Sequence, residues 1–397
     1  MVCCNSPMTV LAWLRQPEQR AQLPARLLLG VAIVWGLLRT ARSLHMLFEA
    51  SHDLNIYYSL WFLLGHRDFA DIALSQALYL PHTWLVLTPF FLLGWPGARL
   101  LMLLLNVGCV FYIWWRLSEL AGLKGIRRWL LLVFLWDWLC TGLVIGLGNL
   151  ALVCVATALA AYPFTSVGGS VFLTLSAMKQ TLVFPLYFRL LLKRPKMLIL
   201  PLVVVAACGV AVLVWAGLSP AEVVGMARGS VSRVEGWTQF DLTSLRRLLS
   251  PVMGGGAALS AVVWVVWFGL YGLVTWRVKD PLAVVAALLL LSLLPIYHQE
   301  YDLVAAAPAL ALFLRRGSLA WPALMTLLLA VNPASAPMRV LPGGVVRTAV
   351  EGFVAVYNPL LVLAFLGGIG WVDGRGDHEI HEKGAPERDL QTPPEES

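Results

Sequence analysis

Apolar runs, each broken by only a few polar residues, fill most of the chain. They lie near 27–47, 81–95, 97–116, 129–146, 149–163, 168–191, 197–218, 257–276, 281–297, 302–314, 319–331 and 345–371. A bilayer core of about 30 Å takes roughly 20 helical residues, so the pattern predicts an all-α, polytopic membrane protein with about 12 transmembrane helices. Helices are expected over a barrel because no period-two alternation recurs and the lipid core admits only those two solutions. Composition agrees, with 59% hydrophobic residues, 13% charged and a mean hydropathy of +0.77. The pattern divides the chain into a cytoplasmic N-terminal segment at 1–26, a membrane domain at 27–372 and a disordered tail at 373–397, which is polar and contains two adjacent prolines.

The net charge of +7 does not signal nucleic-acid binding, because the basic residues fall as short clusters between apolar runs. Placing Arg15, Arg20 and Arg26 in the cytoplasm puts Lys193, Arg194, Lys196, Arg277, Lys279, Arg315 and Arg316 on the same side. Arg116, Lys124, Arg127 and Arg128 then fall on the opposite side, against the positive-inside rule. The first apolar run is followed by Arg39 and Arg42 rather than a small-residue cleavage site, and reads as a retained anchor. Of the six cysteines, Cys109, Cys140, Cys154 and Cys208 lie inside apolar runs, and no spacing points to a disulfide framework or a metal site.

On this parse the non-cytoplasmic face collects the polar segments 48–80, 219–256, 298–302 and 332–344. The first contains SHDLNIYYSLWFLLGHRDFAD at 51–71, whose spacing predicts an amphipathic surface helix. Asp53 and Tyr57 share one face, and Asn55 and Tyr58 another. Asp53, beside His52 and aromatic rings, is a carboxylate suited to act as a base, or alternatively a helix N-cap. Asp68 and Asp71 are weaker candidates for that role, and Arg67 and Asp71, four apart, read as a pair on a solvated face. Lys179, in LTLSAMKQTLVFPL, is an ammonium within an apolar run, where insertion costs about 3 kcal/mol. Such a group needs a partner, either Asp137 or an anion such as a lipid phosphate. His298, Glu300, Tyr301 and Asp302 interrupt two apolar runs so briefly that they line a helix junction. Arg246 and Arg247 stand on an amphipathic stretch suited to headgroups or a lipid-linked phosphate. No Walker A loop, GxGxxG turn or HExxH pair occurs, so a soluble nucleotide or metal cofactor has no evident site.

Six segments, taken in order from about residue 50 to 315, resemble glycosyltransferase family 87. They are DLNIYYSLWFLLG, LYLPHTWLVLTPFFLLGWPGARLLMLLLN, GLGNLALV, GGSVFLTLSAMKQTLVFPLYFRLLLKRP, LTSLRRLLSP and YHQEYDLV. The chain departs from the family pattern at Gly148, where glutamine often precedes the asparagine, and at Gln180, where proline commonly follows the lysine. The resemblance implies a GT-C fold and an inverting transferase whose donor is a polyprenyl-phosphate sugar, mannose first. The acceptor would be a lipid or glycan, with no cofactor and no metal. It assigns Asp53 as general base, with Lys179, Arg246, Arg247 and His298 near the donor phosphate. Tyr57, Tyr58, Asn149, Tyr301 and Asp302 would line the substrate pocket. Two other readings stand beside it, a transporter or lipid flippase and a non-catalytic scaffold.

Overall fold

The computed structural model describes residues 17–49, 52–66, 81–217, 219, 221, 244–254, 256–296, 298–315, 319–330 and 357–370. Most of the 1–26 segment, Arg67, Asp68, Asp71, the loop residues 222–243, the segment 331–356 and the tail at 373–397 lie outside the described residues. Every regular element among the described residues is helical. The elements that position the site are α1 (Pro17–Glu49), α2 (His52–His66), α3 (Pro81–Phe91), α4 (Gly94–Leu120), α5 (Gly125–Asp137), α6 (Leu139–Leu147), α7 (Ala151–Ala161), α8 (Val167–Ser176) and α9 (Gln180–Lys193). They continue with α10 (Ile199–Ala216), α11 (Leu245–Met253), α12 (Ala257–Arg277), α13 (Pro281–Ser292), α14 (Ala307–Arg315), α15 (Ala320–Ala330) and α16 (Tyr357–Gly370).

Three stretches are long and apolar enough to cross a membrane: Gly94–Leu120, Val167–Lys193 and Ala257–Arg277. The pair α5 and α6, bent by 57° at Trp138, makes a fourth if counted as one span. Other apolar helices are 10–17 residues long, among them α7, α13 and α15. At 1.5 Å per residue such helices reach about 15–25 Å, short of a full crossing.

One of the three long stretches doubles back. The Tyr187 hydroxyl of α9 donates to Leu173 O of α8 and lies 3.0 Å from Ser176 Oγ. In a continuous helix those 14 residues would place the two backbones about 21 Å apart, beyond the reach of a tyrosine. The far ends also meet, with Gly169 against Met197 and Arg194 Nη1 donating to Pro163 O at 2.7 Å. The helix breaks at a 3-10 turn, Ala177–Lys179, where Lys179 leaves helical geometry at φ −123°, ψ 73°. Helices α13 and α14 form a second hairpin. Its apex is residues 293–306, ending in the 3-10 turn Glu300–Ala306.

The basic clusters converge on one end of the bundle. Arg116 donates to Tyr162 O at 3.0 Å, and Arg194 donates to the two carbonyls that follow, tying the α4, α7–α8 and α9–α10 termini together. Lys124, Arg127 and Arg315 line one open pocket, and Arg315 pairs with Asp280 at 2.5 Å. The sequence-based placement of Arg116, Lys124, Arg127 and Arg128 opposite the other clusters is therefore corrected. Helix α3 has 11 residues, about 16 Å, and counting 81–95 as a crossing inverted α4.

Local chemistry explains the element ends. Asp280 Oδ1 accepts from Leu282 N (2.9 Å) and Ala283 N (3.0 Å), capping α13 with Pro281 in its first turn. Ser166 caps α8 by accepting from Gly169 N at 3.0 Å. Helix α6 carries Gly142 and Gly146, four residues apart, against α1. A methyl on either would fall 2.8 Å from Ser43 Oγ or 2.9 Å from Met46 Cβ. Such small-residue seams let helix backbones approach in an apolar medium, where packing rather than hydrophobic transfer drives association.

Candidate functional site

Three chain reversals and the start of α2 meet in the interior and bring together residues from four of the six resembling segments. The α6–α7 corner supplies Asn149, the α8–α9 tip Lys179, the α13–α14 apex His298, Tyr301 and Asp302, and α2 supplies Asp53. Helices α7, α8, α13 and α14 have 11, 10, 12 and 9 residues. Each runs between the basic end and this point, so the cluster lies about 14–18 Å from that end. That is roughly half the thickness of a bilayer core.

The corner is built by Gly148 and Asn149. Gly148 ends α6 at φ 69°, ψ 38°, a left-handed conformation that favours glycine. A Cβ there would lie 2.7 Å from Leu54 Cβ, so the missing side chain also admits α2. Asn149 then turns inward, fully buried. Its Oδ1 accepts from Ala151 N at 2.8 Å and from Lys179 Nζ at 3.3 Å. With two donors on the oxygen, the amide orientation is set, and Nδ2 donates to Asp53 Oδ2 at 2.7 Å.

Lys179 forms a salt bridge with Asp302 and sits over the Tyr301 ring at 4.4 Å from its centroid. The other Asp302 oxygen lies 2.9 Å from His298 Nδ1, and His298 Nε2 donates to Ser292 O at 3.0 Å. A continuous polar chain therefore runs Asp53, Asn149, Lys179, Asp302, His298, Ser292. All six residues are buried. Buried charges persist where they are paired and hydrogen-bonded, which describes every link of this chain. Burial, the largest influence, pushes the Asp53 carboxyl above its ordinary range, while the Asn149 hydrogen bond and the Lys179 charge oppose it. Among the described residues no hydrogen-bond donor meets Asp53 Oδ1, while Oδ2 accepts from Asn149 Nδ2.

Compared with protein-family models, curated proteins and solved structures, the chain matches none. The functional reading therefore rests on the residues and their geometry.

The remaining expected residues divide. Tyr57 is buried beside Asp53, while Tyr58 packs in an aromatic cluster with Trp61, Phe91 and Trp95 at 5.3–6.0 Å that docks α2 on α3 and α4. Arg246 and Arg247 occupy the first turn of α11, which Ser244 caps and which is anchored by Leu245 N donating to Leu294 O at 2.7 Å. That anchor ties both arginines to the strand of chain leading into His298. The alternative pairing of Lys179 with Asp137 does not form. Asp137 lies instead against α1, where a methyl on Gly36 would stand 2.7 Å from its Oδ1.

Sequence reasoning missed Gly148 as a structural element of the site, although its change from the family pattern marked the position. It also passed over Asn106 at the end of the second resembling segment. That residue is fully buried on α4, and neither end of its amide has a partner among the described groups.

Proposed function

We propose that the chain is an integral-membrane, inverting glycosyltransferase of GT-C type. It would transfer a monosaccharide, mannose first, from a polyprenyl-phosphate donor to a lipid or glycan acceptor. Its twelve apolar runs would include several half-crossings that meet at the buried polar chain. The basic end would face the cytoplasm by the positive-inside rule, with donor and acceptor entering from the other side.

The observation that carries this reading is the state of Asp53. It is buried, its carboxyl is pushed above the ordinary range, and one oxygen is held by Asn149 while the other has no described donor. Those are the properties of a positioned general base. In the reaction Asp53 takes the proton of the acceptor hydroxyl as its oxygen attacks the anomeric carbon. The bond from that carbon to the phosphate oxygen breaks, and polyprenyl phosphate leaves with the electron pair. Such a leaving group needs charge stabilisation more than protonation. Lys179 is committed to Asp302 and acts on Asp53 through Asn149, and Arg246 and Arg247 would hold the phosphate, as the resemblance implies. His298 holds Asp302 rather than the donor.

The test is transfer of label from polyprenyl-phosphate mannose into lipid by purified wild type and Asp53→Asn in lipid. Transfer by wild type alone supports the reading, and equal transfer by both removes Asp53 from the chemistry.

A second reading, a transporter, is favoured by one observation. Two hairpins with broken helices deliver charges to about half the depth of the bundle, a construction that transporters use. Flux of substrate into liposomes without a new product would select it.

A further inference from the structure

The basic end holds a feature that the candidate site does not use. A pocket of about 440 Å³ opens at the α4–α5 turn, lined by Gly122, Lys124, Arg127 and Arg315. Its walls come from two distant parts of the chain, the turn 121–127 and the end of α14. Two glycines in the turn keep it open. Gly122 at φ +64° and Gly125 at φ +54° have nothing within 4 Å of where a Cβ would stand. Asp280, which pairs with Arg315, is also occupied in capping α13.

Tryptophans surround the same end. Trp129, within a turn of Arg127, is 53% exposed and stacks on Trp114 at 5.2 Å, and Arg128 lies over Trp114 at 4.8 Å. Trp276, 67% exposed, carries Arg277 at 5.1 Å. Exposed indoles alternating with arginines mark the headgroup level of a bilayer. Three cations around an open pocket at that level match a phosphate that is anchored in the membrane.

We propose that this pocket binds the phosphate of an anionic phospholipid headgroup, with the acyl chains lying along the apolar faces beside Trp129. The proposal is independent of glycosyl transfer. A dissolved phosphate would have the same charge but would gain nothing from the tryptophan belt.

Native mass spectrometry of the full chain, exchanged from neutral detergent with phosphatidylglycerol or phosphatidylcholine, tests it. Wild type should retain phosphatidylglycerol in preference to phosphatidylcholine. Lys124→Gln/Arg127→Gln should lose roughly tenfold or more in apparent affinity. Lys196→Gln, at the same end but outside this pocket, should bind as wild type, and Lys124→Arg/Arg127→Lys should retain binding. Unfolding temperatures in neutral detergent without lipid check that the double variant folds. If it does not fold, Lys124→Gln alone replaces it, with a smaller loss expected. Equal binding of the two lipids, unchanged binding in the folded glutamine variant, or full displacement by millimolar inorganic phosphate overturns the proposal.

Discussion

The same side-chain types do different work at the two levels of this bundle. At the basic end, Arg116 lies 3.6 Å from Glu119, with side chains 23% and 48% exposed. At the reversal cluster Lys179 and Asp302 pair with side chains only 9% and 3% exposed. The first pair is open to solvent, which can replace either partner. The second has no such substitute, and each member depends on the next. Water access, rather than charge, separates a group that holds an orientation in the membrane from one that can hold a reacting atom.

The largest expected effect tests whether the buried level is the chemical one. Asp53→Asn keeps shape and can still accept from Asn149 Nδ2, but it cannot take a proton. Transfer should fall by roughly 10²- to 10⁴-fold, with expression and membrane insertion unchanged. Charge-removing changes at the basic end, such as Lys196→Gln, should leave transfer intact. A comparable fall there would erase the distinction between the two levels.

Next comes the cost of breaking each ion pair. Asp302→Asn strands the Lys179 ammonium in the interior and should destabilise the protein by about 3–5 kcal/mol. Glu119→Gln should cost about 0–1 kcal/mol. Thermal unfolding in detergent reads both. The double variant Lys179→Met/Asp302→Asn should recover much of the lost stability while transfer stays below wild type, because Asn149 would lose its lysine donor. Equal destabilisation by the two single variants would mean that water reaches the cluster.

Gly148→Ala probes how the buried level is assembled. The alanine must take a left-handed conformation, and its methyl meets Leu54 Cβ at 2.7 Å. We expect a loss of about 2 kcal/mol, measured by the same unfolding assay, and displacement of α2. Leu54→Gly in the same chain removes that Cβ and should return α2 towards its wild-type position, with part of the transfer activity. If Gly148→Ala alone is neutral, the corner does not set the position of Asp53.

The buried level was legible in the sequence as residues, and less so as geometry. Lys179 stood out as a charge within an apolar run, Asp53, His298, Tyr301 and Asp302 as functional groups in polar breaks between runs, and Asn149 only through the family resemblance. Their meeting was not legible, because the pairing of Lys179 with Asp302 closes over 123 residues while Asp137 lay nearer in sequence. Hydropathy also misled about direction. The run 168–191 has the apolar content of one crossing whether it runs straight or folds at Lys179, since summed hydrophobicity carries no turn. The polar residues Ser176, Lys179 and Gln180 marked the break, and the interaction of Tyr187 with Leu173 shows its result. Likewise, 149–163 and 281–297 read as spans but form helices of 11 and 12 residues. Length measured from helix caps, Asp280 with Pro281 above all, separates half-crossings from full ones better than hydropathy does.

The smallest effect is the most discriminating for Asn149. Burial raises the Asp53 carboxyl above its ordinary range. A base must be ionised, so the acid limb of the transfer rate should lie at higher pH than for an exposed aspartate. The stability linkage has the opposite sense. A carboxyl whose folded value is raised favours folding below its unfolded value, and that contribution is lost as pH rises through the folded value. Acidification should therefore reduce the rate without Asp53 weakening the fold. Asn149 opposes the shift by hydrogen-bonding the ionised form. Asn149→Ala should move the acid limb further up in pH, and a structural role alone would lower the plateau while leaving the limb in place. The pH profile of transfer by wild type and Asn149→Ala, each normalised to its own plateau, separates the two. An unmoved limb would mean that Asn149 supports the corner at Gly148 without tuning the carboxylate.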